Sequence, residues 1–343
     1  MILDPILDLF RGKAITIPPL DGAFSANAAL DEADVHAMLP APDNLVWHDG
    51  HLTCSSGAAV LWVAGAKSHK VAQFPAEITA MAVSPKGHLA VATDDGHLTE
   101  GGIPVPLPGD ITCVTALAYG VDGALWLANG SAHHPASGWV VDLMGKGASG
   151  SVWRRAPGGG FAREVGGLAW PNGLLPDASG VTISESWRHR LIRCEGGRVT
   201  PVLSHLPGYP ARLSPAPDGA WLTLFAPRNR LIEFVLQDTH YRRDMMAEVP
   251  RDFWIAPALT SGQSFLEPLQ CGGIRTMGIH KAWSPSRSYG LVVRLNKEFA
   301  PMASLHSRAN GRRHGVTSAI EVDGRVYIAA KGGGVILTVA GGR

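Results

Sequence analysis

The stretch Ser84–Gly96, SPKGHLAVATDDG, sets a glycine-centred turn at Gly87 directly before a short apolar run. The same turn-then-strand unit returns along the chain. It reads HDGHLTCSS from His48, GVDGALWLANGS from Gly120, DASGVTISES from Asp177, APDGAWLTLF from Ala216 and EVDGRVYIAA from Glu321. A second apolar run sits just upstream of each turn: DNLVW from Asp43, ITAMAV from Ile78, VTALAY from Val114, NGLLP from Asn172, ARLSP from Ala211 and VTSAIEV from Val316. Each of the six units is therefore a strand–hairpin–strand. A hairpin cannot bury its apolar face alone, but hairpins arranged radially can. The expectation is an all-β, six-bladed β-propeller.

The turn glycines Gly50, Gly87 and Gly123 are 37 and 36 residues apart, about one four-stranded blade each. The following gaps of 57, 39 and 105 locate two insertions, one near 131–150 and a larger one near 240–290. Within the second, YRRDMMAEV reads as a short helix, and the strand at Leu291–Asn296 resumes the blade pattern. No domain boundary is evident. Residues 1–343 read as one propeller domain with about the first 20 as an extension. That extension has Asp4 and Asp8 within its apolar run and no basic start, unlike a signal peptide.

Composition agrees. Of 343 residues, 41 are Gly and 25 Pro, a load that suits many tight turns and not long helices. Lys and Arg (30) balance Asp and Glu (29), and no basic stripe supports nucleic-acid binding. No run reaches the length of a membrane span. Cys54, Cys113, Cys194 and Cys271 are scattered without metal-type spacing, and read as free thiols of a cytoplasmic protein. A small molecule is the expected partner, with a protein partner engaging the 240–290 insertion as a further possibility.

From 150 to 234 the segments GSVWRR, GGLAWPNGLL, ISESWRHRLIRC, LPGYPARLSPAPDGAWLTLF and RNRLIEF follow in order. In this the chain resembles the strictosidine synthase-like proteins, within the wider group of gluconolactonase/regucalcin and paraoxonase propellers. LWLANGS and VVDLMGKGASGSVW upstream, and SLHSRANGRRHGVTSAIEVDGRVYIAA downstream, extend the resemblance to about two-thirds of the chain. It implies that residues opening each innermost strand face the central channel. Those residues are Asp43-Asn44, Thr79, Thr115, Asn172, Ala211-Arg212 and Thr317-Ser318.

In the lactonase and paraoxonase branches such positions hold Ca²⁺, a Lewis acid for a carbonyl or phosphoryl oxygen. Asn172 matches a metal ligand of the group, and Asp43 stands where Glu is usual. Ala211-Arg212 replaces Asp-Asn, and Thr115 replaces an amide. Ca²⁺ requires six to eight oxygens, several anionic, so a guanidinium here opposes it. One expectation is a Ca²⁺ site at Asp43 and Asn172; the alternatives are that Arg212 replaces the metal as a fixed cation paired with Asp43, binds a substrate anion, or turns away into a surface ion pair. Where the amine–aldehyde condensing enzyme has a Glu at the last blade, this chain has Val316-Thr317. That activity is not carried over.

Other constellations carry less. His314, at the entry to the last inner strand, is either an acid/base at the mouth or a turn histidine bonded to backbone. The pair His133-His134 has no partners at metal-ligand spacing. Arg308, Arg312 and Arg313 form a solvated or anion-attracting rim. Glu185, with Arg188 and Arg190, reads as a structural ion pair before a catalytic acid. Ser184 lies in TISES, without a nucleophile elbow. The glycines 158–160 and 332–334 belong to hairpin turns, and most tryptophans read as inter-blade packing. Trp254, Phe265 and Trp283 are candidates to line or lid a pocket.

Two functions follow. The first is a hydrolase of small lactones or esters in which Asp43 and Asn172 bind a metal or polarise water, Arg212 holds an anionic group and His314 moves protons, with Asn44, Thr115, Thr317 and Ser318 around the ligand. The second is a non-catalytic propeller that binds a small anionic or sugar-derived ligand, or a protein.

Overall fold

The computed structural model describes residues 17–262, 267 and 287–341, and the backbone of 275–276 and 279–280. Six four-stranded antiparallel sheets radiate from a central channel. Their innermost strands are Pro42–His48, Ile78–Val83, Val114–Tyr119, Pro171–Pro176, Gly208–Ala216 and Val316–Val322. These are the six upstream runs read from the sequence, in the same order. The turn glycines follow because several connections need left-handed backbone. Asp49-Gly50 (φ 49° and 75°) and Asp323-Gly324 (φ 49° and 70°) have the positive pair of a two-residue hairpin turn.

The ring closes by exchange of its ends. Asp34–Met38, near the N-terminus, pairs as the outermost strand of blade six against the C-terminal strand Val335–Ala340. Between blades the facing sheets bury alanine, valine, leucine and isoleucine. One such layer comprises Ala90, Ala92, Leu125, Leu127 and Trp153 between blades two and three. Cys54, Cys113 and Cys194 are buried and unpaired, and Cys271 lies outside the described residues. Among the described residues no helix is long and apolar enough to cross a membrane.

Both insertions interrupt a blade between its second and third strands. The first, in blade three, holds α1 (Trp139–Met144). The second begins earlier than the glycine spacing implied, directly after the blade-five strand Gly219–Pro227, and the sheet resumes at Gly290–Leu295. It carries α2 (Arg230–Gln237) and α3 (Thr239–Glu248). The segment RNRLIEF is thus helical. Asn229 Oδ1 caps it by accepting Leu231 N–H at 2.9 Å, and Ile232 and Val235 go inside. Asp238 caps α3 through Tyr241 N–H.

The two insertions share one core, in which Leu143 and Met144 meet Ile232, Val235, Met245 and Trp254 over Tyr209 and Phe225. They form a joint cap on one end of the channel. Phe265 and Trp283 lie outside the described residues. Trp254 is in the cap core, with its indole N–H on Val249 O, and it backs the cavity wall without lining it.

Candidate active site at the channel mouth

All six innermost strands slip register at their first residues. The slips fall between Asp43 and Val46, Ile78 and Ala80, Val114 and Ala116, Pro171 and Gly173, Pro210 and Leu213, and Val316 and Ser318. A bulge frees a residue from the ladder and re-aims its side chain. The residues released this way include Asn44, Thr79, Thr115, Asn172, Ala211, Arg212 and Thr317, which are positions singled out from the sequence.

Under the cap, a cavity of about 330 Å³ collects most of them. Asp43, Thr79, Thr115, Asn172, Arg212 and Thr317 line it, with Ala211. Its floor is a charge network. Arg212 reaches from blade five, donating through Nη1 to Asp43 Oδ1 (2.7 Å) and Thr317 O (3.3 Å), and through Nη2 to Thr79 O (2.8 Å). One guanidinium thus ties blades one, two, five and six. Lys331 Nζ bridges Asp43 Oδ2 (3.3 Å) and Glu77 Oε1 (2.9 Å).

Asp43 is buried. Burial alone would raise its pKa, but Arg212, Lys331 and the Asn44 N–H outweigh it and hold the carboxyl below the usual carboxylate range. Burial would likewise lower Lys331, but Asp43 and Glu77 reverse that and raise it, so the ammonium stays charged.

The opposite wall is aromatic. Trp139 of the cap, Trp170 and Phe225 line it together with Leu259. Trp170 stacks on Trp187 (centroids 5.1 Å apart, planes at 24°), and Trp139 meets Phe225 edge to face at 5.4 Å. These tryptophans face the cavity instead of packing between blades. Gly130 makes room for this wall, since a Cβ there would lie 2.6 Å from Thr115 Cγ2 and 3.3 Å from the Trp170 ring.

Other expected residues are placed elsewhere. Asn44 Nδ2 donates to Ser55 Oγ within blade one and to Ile78 O (3.5 Å) of blade two, and Ser318 Oγ of blade six accepts Leu45 N–H, so both stitch blades together outside the cavity. His314 is buried away from the cavity lining, with Nδ1 on Ser288 Oγ (2.8 Å) and Nε2 on Arg308 O (2.8 Å). Both ring nitrogens are therefore engaged, and the ring does not line the cavity. The His133 and His134 backbone N–H groups bond Ser131 Oγ in the loop before α1, and neither ring lines the cavity. Glu185 is fully buried between Arg188 and Arg190. Ser184 Oγ donates to Ala211 O.

Lys331, Glu77 and Asp94 were not singled out from the sequence. They flank blade edges at the mouth: Glu77 just before an innermost strand, Asp94 and Lys331 just after a second strand. Second-strand ends were the signal available to find two of them.

The donor set does not fit Ca²⁺. Asp43 has one oxygen on Arg212 and the other on Lys331, Glu77 shares Lys331, and Asn172 adds a single amide oxygen. Two fixed cations stand where anionic ligands are required. Among the described residues no three His, Cys, Asp or Glu side chains group as metal ligands.

Neither a protein-family model nor a curated protein sequence matches the chain. Solved structures do share its fold. A structural-genomics protein assigned as a gluconolactonase aligns over 90% of this chain and 91% of its own at 12% identity, with a TM-score of 0.54. A Xanthomonas campestris gluconolactonase aligns over 95% of both chains at 16% identity, also with a TM-score of 0.54. At these identities the likeness is one of fold: the six-bladed propeller of gluconolactonases.

Proposed function

We propose that the chain is a metal-independent hydrolase of small lactones or esters, acting at the capped channel mouth. The observation that carries this reading is the Arg212 guanidinium, fixed beside Lys331 on the floor of a cavity of ligand size. The gluconolactonases of the same fold lend it support. The strictosidine synthase-like resemblance contributes the arrangement of the mouth and no chemistry. The buried, unpaired thiols suit a cytoplasmic setting.

In this reading the ester carbonyl oxygen lies against the hydrogens of Lys331 and Arg212 that the network leaves unused. Positive charge fixed there stabilises the oxyanion that forms when water adds, as a metal would. Asp43 holds Arg212 and is a poor base, because both its oxygens are bonded. Glu77, about half exposed, is the base that takes the water proton. Collapse of the intermediate breaks the acyl C–O bond, and the proton goes to the leaving alkoxide. The product is a hydroxy acid. Three carboxylates (Asp43, Glu77, Asp94) face two cations in the cavity, so the new carboxylate is repelled and leaves.

The test is turnover of δ-valerolactone and phenyl acetate in the presence of a chelator. Activity is expected to resist the chelator and to fall about 100-fold in Lys331→Met, the usual scale for losing one oxyanion donor. Chelator-sensitive activity, or turnover unchanged in Lys331→Met, defeats the proposal.

One observation favours a second reading, in which the cavity binds a ligand without turnover: among the described residues no histidine lines it. A sugar-derived neutral ring fits the aromatic wall better than an anion, because the cations are already engaged. Thermal stabilisation by such a lactone, with no hydrolysis, would select this reading.

A further inference from the structure

Trp170 combines three unusual features. It is 3% exposed, it lines the cavity, and its backbone is left-handed at φ 60°. A bulky residue rarely adopts that conformation, and the residue before a proline, here Pro171, ordinarily prefers extended backbone. Such strain persists only where the surroundings over-determine it.

The surroundings are specific. Glu185, fully buried at the end of the blade-four strand Val181–Glu185, accepts the Ala169 N–H through Oε1 at 2.8 Å. Its charge is held by Arg188 Nη1 on Oε1 (2.5 Å) and Arg190 Nε on Oε2 (2.6 Å). Next along the same strand end, Ser186 N–H donates to Trp170 O at 3.0 Å and Trp187 N–H to Ala169 O at 3.2 Å. Residues 169–170 are the whole connector between blades three and four. These hydrogen bonds hold the connector on both sides of the Trp170 Cα, at Ala169 and at the Trp170 carbonyl, while Trp187 fixes its ring by stacking.

We propose that Glu185 is a positioning residue for the ligand site: with Arg188 and Arg190 it imposes the left-handed turn at Trp170 and so sets the aromatic wall opposite Arg212. The consequence for the ligand rests on the functional reading above, whereas the positioning itself does not. A carboxylate is suited to the role. It can accept the amide and two guanidinium hydrogens at once, and an amide side chain cannot compensate both arginines.

Two measurements read the positioning without any substrate. The stacked Trp170–Trp187 pair should give an exciton couplet in circular dichroism, identified by its loss in Trp170→Phe. In Glu185→Gln that couplet is expected to lose more than half its amplitude. The second measurement is a thermal cycle. Glycine adopts φ 60° without restraint, so Glu185→Gln should lower Tm by several degrees in the wild-type chain and by less than half as much in the Trp170→Gly background.

If Glu185→Gln does not fold, Arg188→Gln leaves Arg190 on the carboxylate and should still reduce the couplet. A full couplet in the folded variant, or an equal Tm loss in both backgrounds, overturns the proposal. With phenyl acetate, Glu185→Gln should raise KM about tenfold and change kcat less, as expected for lost ground-state binding. A reduced couplet with no turnover in any variant would sink the hydrolase reading and leave the positioning role standing.

Discussion

Arg212 Nη1 lies 2.7 Å from Asp43 Oδ1, joining residues 169 apart in the chain across the central channel. Asp43 is buried and Arg212 nearly so, at 18% side-chain exposure. Pairs of this kind are costly to break from one side, because the partner is left as an uncompensated charge.

Arg212→Ala is therefore expected to destabilise the fold by about 3 kcal/mol, measured by urea unfolding. The double variant Asp43→Ala/Arg212→Met should recover part of that loss, because it removes both charges and keeps apolar volume. Lys331 would still have Glu77. Equal losses in the single and double variants would mean that the pair contributes through shape alone.

The same pair explains the poor fit to a divalent cation, and the effect should be reversible by design. Arg212→Asp combined with Lys331→Met leaves Asp43, Glu77, Asp94 and Asn172 facing an added carboxylate, with no cation among them. Millimolar Ca²⁺ should then raise Tm by several degrees through preferential binding to the native state, while leaving the wild-type Tm unchanged. A Ca²⁺-dependent shift in the wild type would show that Arg212 can leave the site.

The architecture was legible in the sequence because a propeller repeats its local chemistry. Turn, alternating strand and upstream strand recur with each blade, and each copy confirms the others. The repeats located the inner strands, while the channel-facing role of their entry residues was implied by the family resemblance; bulges at all six entries turn them toward the mouth or its rim. His314 shared that placement in sequence, yet its ring turned to Ser288 and Arg308 O. Sequence position fixes where a side chain starts and leaves its direction open. Lys331 and Trp170 were missed because they lie in connectors, where no period applies. The Lys331 ammonium meets Asp43 from 288 residues away, a pairing no local pattern encodes.

Acid should unfold the protein in stages. Burial, with Arg308 nearby, depresses His306 to about 4, while the unfolded chain titrates near 6.5. Between those values the unfolded state binds a proton that the native state refuses, so stability falls as pH drops from 6.5 toward 4 and is complete above 6.5. The loss from His306 is on the order of 3 kcal/mol. His189, also lowered by burial, acts in the same direction. Below that window Glu233 contributes. Burial opposes its ionisation, but His189 and Arg228 bring it to about 2, so its stabilisation disappears between about 4.5 and 2. His306→Gln should flatten the Tm–pH curve between pH 4 and 6.5 and leave the steeper fall below pH 4 in place.

The last prediction concerns how the cap is seated. Leu259 lines the cavity, and its carbonyl rests on the backbone of Gly315 and Gly332 in blade six. Gly315 has φ 64°, and a Cβ there would come within 2.6 Å of Leu259 O. At Gly332 the obstacle is proximity alone, since a Cβ would overlap the Leu259 carbonyl. Lys331, one residue earlier, is bonded through its N–H to Gly315 O at 2.9 Å, so the turn that seats the cap also carries the Lys331 ammonium to Asp43. Gly332→Ala cannot be absorbed by a flexible side chain, because both contacting groups are backbone. It should cost about 1–3 kcal/mol and lift residues 256–260 off blade six. Limited proteolysis should then cut that segment faster, while the buried Arg212–Asp43 pair continues to hold the ring. Unchanged proteolysis with lowered stability would place the strain in the blade-six turn instead of the cap.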